Sequence, residues 1–300
     1  MEGIDDVVLH FSPASLQLLN AILAVVMFSI AIDLTPEDFR RLLHAPKALL
    51  VGLFSQFIVL PALTFLLVLI AQPRPSIALG LILVAACPGG NISNFITHRA
   101  GGNAALSVSM TAIATVGAIL LTPFNIALWG NLYEPTREIL RATSIDPVQV
   151  AITVGFMLVL PLVLGIALNM KRPGITTKIK RPLQWLSMAI FAAFIVAALA
   201  ANWGFFLQFV GAVAALVFIH NAIALGGGYL TATVFGLSQY DRRAVTIETG
   251  IQNSGLGLVL IFAFFQGLGG MAVAAAAWGI WHAISGIALA AVMSRTEAAR

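Results

Sequence analysis

Charged side chains are scarce in this sequence. Asp, Glu, Lys and Arg make up 9% of its 300 residues, while hydrophobic residues make up 60%. Soluble domains carry roughly 25% charged residues, so this composition excludes an ordinary water-soluble core. The mean hydropathy is +0.98, and apolar runs of about 20 residues recur without the alternation of membrane strands. Both features are typical of a helical protein that crosses the lipid bilayer several times.

Cysteine is almost absent, and so are the residue sets of common catalytic sites. The single cysteine, Cys87, excludes an internal disulfide and a cysteine-based metal cluster. The sequence contains no His and Cys residues at zinc-binding spacing and no visible Ser-His-Asp set, so it predicts a protein that is not an enzyme. The acidic start, Met-Glu-Gly-Ile-Asp-Asp, lacks the basic segment of a signal peptide, and no cleaved leader is expected.

The apolar runs predict an all-α polytopic membrane protein with nine transmembrane helices, here called spans 1 to 9. Their approximate ranges are residues 18–34, 48–70, 77–97, 104–129, 148–168, 183–201, 206–235, 244–266 and 271–293. The polar residues 131–146 are expected to form the longest loop, and the basic residues 171–181 are expected to connect spans 5 and 6.

The distribution of positive charge predicts the orientation in the membrane. A pI near 9.6 would suggest nucleic-acid binding in a soluble protein, but here cytoplasmic retention of Lys and Arg accounts for it, and no nucleic-acid partner is expected. Of the 16 Lys and Arg residues, only Arg74, Arg137 and Arg141 fall on one side of the nine-span topology. The N-terminus is therefore expected outside and the C-terminus in the cytoplasm. We expect the plasma membrane, or the inner membrane of a bacterium, as the location.

Two of the nine spans are interrupted by glycines and polar residues. Residues 88–94 (Pro-Gly-Gly-Asn-Ile-Ser-Asn) break span 3, and residues 248–255 (Glu-Thr-Gly-Ile-Gln-Asn-Ser-Gly) break span 8. An acid at the centre of a membrane helix costs about 2.5–3.5 kcal/mol on insertion scales, which indicates a functional role. Each break lies in the third span of its half, spans 1–4 and 6–9. The sequence thus predicts an inverted repeat with a transport site at the bilayer midplane, where the two broken helices meet.

The Pro-Gly-Gly run that opens the first break also allows interpretation as a kink or as a close helix contact. Proline removes a backbone donor, and each glycine lowers helix propensity by about 1 kcal/mol relative to alanine. Because asparagine and serine follow directly, we interpret the run as an unwound segment whose half-helix N-terminus can receive an anionic group. The run at 226–228 (Gly-Gly-Gly) has no polar neighbours, and we interpret it as a packing surface.

Glu248 is the acid placed deepest in a span, and no Lys or Arg lies in a membrane core of this topology. Its carboxyl group allows three interpretations, namely a ligand of a metal cation, a carrier of a proton, and a structural hydrogen-bond acceptor at the broken helix. The surroundings favour the cation, because hard cations take oxygen ligands. Side-chain oxygens in the same set of spans belong to Gln56, Ser93, Asn94, Ser107, Thr111 and Gln252. Ser107 and Thr111 are one helical turn apart, a spacing that helix packing alone also explains.

These motifs resemble the bile acid:sodium symporter family. The likeness rests on Cys-Pro-Gly-Gly-Asn-Ile-Ser-Asn at 87–94, Asn-Ala-Ala-Leu-Ser at 103–107 and Thr-Ile-Glu-Thr-Gly-Ile-Gln-Asn-Ser-Gly at 246–255. It covers about residues 20–293, including Gln-Phe at 56–57 with Pro61, and Trp-His at 281–282 with Ile-Ser-Gly at 284–286. Bacterial relatives have ten helices, whereas this chain begins one helix late and is similar to the nine-helix animal transporters. Ala283 stands where bacterial relatives commonly carry asparagine.

The resemblance implies one transporter domain, residues 1–300, divided into a core and a panel with two crossing discontinuous helices. The core would comprise about residues 48–130 and 206–293, and the panel about residues 15–36 and 147–203. The resemblance also implies two sodium ions near the crossing. The first ion would bind Ser93, Asn94, Ser107, Thr111 and Glu248. The second would bind Gln56, Glu248 and Gln252 with the backbone carbonyls of Thr249 and Ile251. Substrate contacts would fall on Asn91, Asn253 and His282.

The function implied by the resemblance is sodium-coupled import of an organic anion, such as a bile acid-like or other carboxylate compound, by alternating access. Its partners would be sodium ions, the anion and the lipid bilayer. A proton-coupled carrier and a sodium-independent exporter stay open at this point, with Glu248 as the titrating group. A membrane hydrolase is disfavoured because His220 and His282 have no acid partner nearby in sequence, and we interpret both as hydrogen-bonded core histidines. A channel or receptor would be favoured only by flux that does not saturate with substrate.

Overall fold

The structure is a computed structural model that describes residues 4–5, 13–32, 46–90, 92–143, 146–201 and 203–295. All regular secondary structure among these residues is helical. The helices are α1 (Pro13–Ala31), α2 (Pro46–Ala71), α3 (Pro75–Ala86), α4 (Ile92–Arg99), α5 (Ala104–Leu132), α6 (Glu134–Thr143), α7 (Pro147–Lys171), α8 (Pro173–Ala201), α9 (Trp203–Val234), α10 (Gln239–Gly250), α11 (Ser254–Phe264) and α12 (Gly269–Met293).

Several of these helices are long and apolar enough to cross a membrane. Within the described residues, only five stretches meet this condition: α2, α5, α7, α12 and the Val213–Val234 part of α9. Pro75–Ala86 and Ser254–Phe264 are apolar helices of shorter length. Large apolar side chains lie exposed on the outside, as Ile70 at 74% and Leu120 at 72% illustrate, which marks a surface that faces lipid. A helical multi-pass membrane protein is thus confirmed. The count of nine spans and the inverted repeat stay predictions.

The contacts between helices place α3 at the centre of the molecule. Every residue of α3 from Ser76 to Ala86 is buried, and the helix packs against α12, α5 and α2. Helix α9 packs on α10 and α12, whereas α1 packs on α7 and α8. Helix α5 also contacts α7. The division into core and panel stays a prediction.

Helices α2 and α7 share a local irregularity. Each contains one π-helical turn, Ser55–Val59 in α2 and Gly155–Val159 in α7, and each turn is followed by a Leu-Pro pair that ends at Pro61 or Pro161. The residue before each proline donates its N–H to the carbonyl five residues earlier. Because proline has no N–H, the regular hydrogen-bond ladder is interrupted at this point, and the π turn accommodates the change. In α2 the π turn contains Gln56.

Residues 131–146, which the sequence predicts as a loop, are mostly helical instead, and so is most of the basic connection between spans 5 and 6. Residues 131–146 contain α6, whose Leu140 side chain packs over Gly130 and whose Thr136 hydroxyl donates to the Gly130 carbonyl at 2.6 Å. Most of the basic stretch 171–181 belongs to α8, which begins at Pro173. The loop prediction was wrong because a polar segment still forms a helix when one face packs on the protein. Proline also suits the first position of a helix.

Candidate functional site at the crossing of two broken helices

The two breaks predicted from the sequence lie against each other. One separates α3 from α4, and the other separates α10 from α11. The N–H of Gly90 donates to the carbonyl of Ile251 at 2.7 Å, and the N–H of Asn253 donates to the carbonyl of Pro88 at 2.9 Å. The segments therefore form a short antiparallel bridge. Unpaired backbone groups cost several kcal/mol in a membrane interior, so each break supplies the partners that the other needs.

Local sequence explains why both helices end where they do. Cys87 is extended, with φ −73° and ψ 156°, because the following Pro88 disfavours the helical conformation in the residue before it. Ile251 is also extended, with φ −121° and ψ 100°. Asn253 then starts α11 as its N-cap, and its side-chain oxygen accepts the N–H of Leu256 at 3.0 Å. An N-cap of this kind satisfies one of the free donors of the new helix.

Glycine is required in the first break because the two segments approach closely. A Cβ atom on Gly89 would overlap the Oε1 atom of Glu248 and would lie 3.2 Å from Nε2 of Gln56. A Cβ atom on Gly90 would lie 2.7 Å from the carbonyl oxygen of Gln252. Only a residue without a side chain allows this approach. The Gly-Gly pair thus brings the backbone of one break against the acid of the other.

Glu248 lies at this crossing and is fully buried. Its Oε2 atom accepts hydrogen bonds from the hydroxyl groups of Ser93 at 2.6 Å and Ser107 at 2.8 Å. Its Oε1 atom accepts a hydrogen bond from the hydroxyl group of Thr111 at 2.5 Å. Because Ser93 belongs to α4 while Ser107 and Thr111 belong to α5, three helices converge on one carboxylate.

Asn94 adds a further acceptor to this cluster. Its Oδ1 atom lies 2.8 Å from Oγ of Ser107 and 3.2 Å from Oγ1 of Thr111. Each hydroxyl group has a single proton, so Ser93, Ser107 and Thr111 together offer three protons to the two oxygens of Glu248 and the amide oxygen of Asn94. Each of those oxygens can accept two bonds. This surplus of acceptor oxygens suits a hard cation, which takes oxygen ligands.

A second group of oxygens adjoins the break in span 8. The Nε2 atom of Gln56 lies 3.4 Å from Oε1 of Gln252, whose own Nε2 donates to the carbonyl of Thr249 at 2.8 Å. The Oε1 atom of Gln56 is buried without a hydrogen-bond partner among the described residues. A buried unpaired acceptor costs about 1–3 kcal/mol, a penalty that a bound cation would remove. The carbonyl of Ile251, which the resemblance implies as a ligand of the second ion, accepts the N–H of Gly90.

The three predicted substrate contacts have different surroundings. Asn91 lies outside the described residues. The amide of Asn253 caps α11, and the side chain is 8% exposed. His282 is buried on α12, between Gly279 and Gly286. Gly279 packs on the start of α11, and Gly286 packs on the break at residue 251. Positions 279, 282 and 286 share one face of a helix, so His282 lies on the face directed at the break.

The two buried histidines differ in their hydrogen bonds. The Nε2 atom of His220 lies 2.6 Å from the hydroxyl of Thr64, which agrees with its interpretation as a hydrogen-bonded core histidine. The Nδ1 atoms of both histidines are buried without a partner within the described part of the chain, so His220 is hydrogen-bonded through Nε2 alone, and the hydrogen bond expected for His282 is not formed at its Nδ1 atom. His282 therefore keeps a polar atom available beside the crossing.

Two polar residues that the sequence does not mark as functional hold the second break. The Nδ2 atom of Asn221, on α9, donates to the carbonyl of Gly250 at 2.8 Å. The hydroxyl of Ser285, on α12, donates to Oδ1 of Asn221 at 2.5 Å. Both residues lie in uninterrupted apolar spans. A polar side chain in a membrane helix is the signal that both share, and Ser285 also belongs to the Ile-Ser-Gly run at 284–286 of the family resemblance.

Comparison with known proteins identifies the family. The pattern of the sodium bile acid symporter family matches residues 21–209, which is more than half of the chain and includes the first break. The chain belongs to the sodium bile acid symporter family. Membership confirms the resemblance drawn from the motifs, and it places the chain among transporters and not among enzymes.

Individual relatives of this family member agree with that assignment. It is 32% identical over 273 residues to the uncharacterized sodium-dependent transporter YocS of Bacillus subtilis, a match that covers 91% of this chain and 82% of that protein. It is 31% identical over 277 residues to the probable sodium/metabolite cotransporter BASS1, chloroplastic, of Arabidopsis thaliana, covering 91% and 66% of the two chains. It is 28% identical over 256 residues to P3 protein of Homo sapiens, covering 84% and 52%. The symporter family member thus spans most of the bacterial relative, about two thirds of the plant one and about half of the human one.

Proposed function

We propose that this member of the sodium bile acid symporter family couples inward movement of sodium ions to import of an organic anion. The observation that carries the proposal is the convergence of the buried carboxylate of Glu248 with hydroxyl and amide oxygens at the crossing of two broken helices. A carboxylate stays ionised in a membrane interior only beside a positive charge. A sodium ion would supply that charge and satisfy the surplus acceptors.

Two sodium positions form part of the proposal. The first ion is held by Glu248 with oxygens of Ser93, Asn94, Ser107 and Thr111. Support comes from the short contacts that these side chains already make with one another. The shared acid then serves both ions, because the second set of oxygens lies in the same break.

The second ion is held by Gln56, Glu248, Gln252 and the carbonyls of Thr249 and Ile251. In the present arrangement the Nε2 atom of Gln252 donates to the Thr249 carbonyl. Binding of the ion requires this amide group to turn, so that Oε1 of Gln252 and the released carbonyl both face the cation. The Nε2 atom of Gln56 faces Gln252, so the amide of Gln56 also has to turn before its unpartnered Oε1 atom can bind the ion.

The organic anion binds next to the sodium positions in this proposal, at Asn91, Asn253 and His282. Two half-helices, α4 and α11, begin at the crossing. Helix N-termini carry a partial positive charge, which favours a carboxylate or a similar anionic group. Bile acids, keto acids and vitamin-like carboxylates are the classes that we would test first. Alternating access would expose the site first outside and then in the cytoplasm.

Uptake into liposomes that contain the purified protein tests this proposal. A sodium gradient, outside to inside, should drive accumulation of at least one labelled anion from these classes, whereas a potassium gradient should not. Glu248→Ala and Gln252→Ala should abolish the sodium-driven uptake. A suitable control is Asn125→Ala, because Asn125 is a buried asparagine of α5 that donates to the carbonyl of Leu121 and accepts the indole N–H of Trp129, both within its own helix. It lies 14 residues beyond Thr111, roughly 21 Å along the helix.

The outcomes separate the candidate mechanisms. Sodium-driven uptake that persists undiminished in both variants would contradict the assigned role of the crossing. Uptake driven by a proton gradient without sodium would instead make Glu248 a proton carrier. Flux that rises linearly with substrate would indicate a channel.

A further inference from the structure

We infer that Asn221 is a positioning residue for the sodium-binding break in span 8, and that Ser285 fixes the orientation of its amide group. This inference rests on the proposed function, and it concerns two residues that belong to neither proposed set of sodium ligands. The three participating groups come from three different helices. Asn221 is on α9, Gly250 ends α10 and Ser285 is on α12.

The amide of Asn221 makes hydrogen bonds on both of its sides. Its Nδ2 atom donates to the carbonyl of Gly250 at 2.8 Å, and its Oδ1 atom accepts the hydroxyl proton of Ser285 at 2.5 Å. Asn221 is 1% exposed, so water does not compete for these bonds. The Ser285 hydroxyl also lies 3.2 Å from the carbonyl of His282, but its one proton favours the shorter contact. Because Ser285 can donate to Oδ1, it keeps the Nδ2 group directed at Gly250.

The bond to Gly250 acts at the point where α10 ends. The carbonyls of the last helical turn have no partner within the helix, so an external donor has to satisfy them. Ile251 is extended, and successive carbonyls of an extended segment point to opposite sides. Holding the Gly250 carbonyl toward α9 therefore turns the Ile251 carbonyl the other way. That carbonyl faces the first break, where it accepts the N–H of Gly90.

Loss of the Asn221 amide would act on sodium binding through this backbone orientation. The carbonyl of Ile251 is one of the proposed ligands of the second ion, and Glu248 lies three residues before it. Without a donor, the Gly250 carbonyl is free to rotate, and the ligands on either side lose their fixed direction. We expect the half-saturating sodium concentration to rise about 3- to 10-fold, the equivalent of one neutral hydrogen bond. The affinity for the organic anion at saturating sodium should change less than twofold.

The experiment compares Asn221→Ala and Ser285→Ala with wild type and with the matched control Asn125→Ala. Purified proteins are titrated with sodium chloride at constant ionic strength, and the melting temperature reports the half-saturating concentration, because a ligand stabilises the state that binds it. Both test variants should require more sodium, while Asn125→Ala should match wild type. Ser285→Thr keeps the hydroxyl donor and should restore the wild-type value. Uptake at saturating sodium then gives the KM for the anion.

Different results would overturn the proposed function and the positioning role of Asn221. If sodium does not raise the melting temperature of wild type, the proposed function itself is wrong. If wild type responds but Asn221→Ala and Ser285→Ala show the wild-type sodium dependence, the positioning role is wrong. The positioning role would also be wrong if the two variants melt at a lower temperature in potassium but keep the wild-type sodium dependence. That result would mean that the contact is purely structural. If Asn221→Ala fails to fold, the pair Ser285→Ala and Ser285→Thr decides the matter alone.

Discussion

Replacing Thr111 by valine removes one hydroxyl group from the crossing and leaves the shape of the side chain almost unchanged. The hydroxyl donates to Oε1 of Glu248 at 2.5 Å and lies 3.2 Å from the amide oxygen of Asn94. We expect Thr111→Val to weaken sodium binding strongly. The reason is that both the oxygen ligand and the hydrogen bond to the carboxylate disappear together.

The size of the effect follows from the charge on Glu248. A hydrogen bond to a charged group contributes about 1.5–3 kcal/mol, and one between neutral groups contributes about 0.5–1.5 kcal/mol. Each 1.4 kcal/mol changes a binding constant about tenfold. If Glu248 is ionised beside sodium, the half-saturating sodium concentration should therefore rise about 10- to 150-fold.

Thr115→Val is a matched control on the same helix. Thr115 is also buried, but its hydroxyl donates only to the carbonyl of Thr111 at 2.7 Å, within α5. This variant should change the half-saturating sodium concentration less than about twofold, because local bonds of this kind contribute little. Both variants are measured by sodium-driven uptake in liposomes and by the sodium dependence of the melting temperature.

Equal sodium dependence in Thr111→Val and Thr115→Val would refute this reasoning. It would mean that the short contact with Glu248 stabilises the fold without contributing to ion binding. A shift below about 10-fold that is still larger in Thr111→Val would point instead to a neutral acid at the crossing.

Three other predictions concern the glycines and the ion itself. Gly89→Ala should lower sodium-driven uptake about 5- to 150-fold, because its Cβ atom would overlap Glu248 and overpacking costs about 1–3 kcal/mol. Uptake at the wild-type rate would contradict this. Gly228→Ala should lower the melting temperature, since the new Cβ atom would lie 2.9 Å from the Cβ atom of Thr249. In Gly226→Ala the new Cβ atom would meet nothing within 4 Å, so this variant should preserve or raise the melting temperature. Equal melting temperatures of the two glycine variants would show that position 228 is not a tight helix contact. Sodium at about 100 times its dissociation constant should stabilise wild type by about 2.7 kcal/mol, and potassium should not; identical melting curves in both salts would rule out a selective sodium site.

The two breaks were predictable because their signals are local. Within an apolar run, a helix is interrupted by proline and paired glycines, and amides there are unusual. The sequence shows these residues without any knowledge of contacts. The hydroxyl groups of Ser107 and Thr111 were predictable by spacing and by the family resemblance, and the structure brings both to Glu248. The Gly-Gly-Gly run was also correctly interpreted as packing at position 228, which lies against α10.

Other features depend on contacts between distant parts of the chain. Helix α6 forms where a loop was expected, because Leu140 and Thr136 find partners on Gly130, and polar composition alone does not reveal that surface. The pairing of Asn221 with Ser285 joins residues 64 positions apart, in spans that show no interruption. The π turns precede prolines that are visible in the sequence. Because proline in a helix can also produce a kink, the prolines alone do not predict a π turn.

The bridge between the two breaks has a consequence for how the chain is made. A membrane protein is synthesised from its N-terminus, so the carbonyl of Pro88 and the N–H of Gly90 enter the membrane long before Ile251 and Asn253 exist. Those later residues are the partners of the earlier ones, and lipid offers no substitute. The first broken span is therefore incomplete until the second broken span has been inserted. Chains that stop between the two, through a nonsense codon or stalled translation, carry an unfinished helix pair and are expected to be recognised by the quality-control proteases of the membrane.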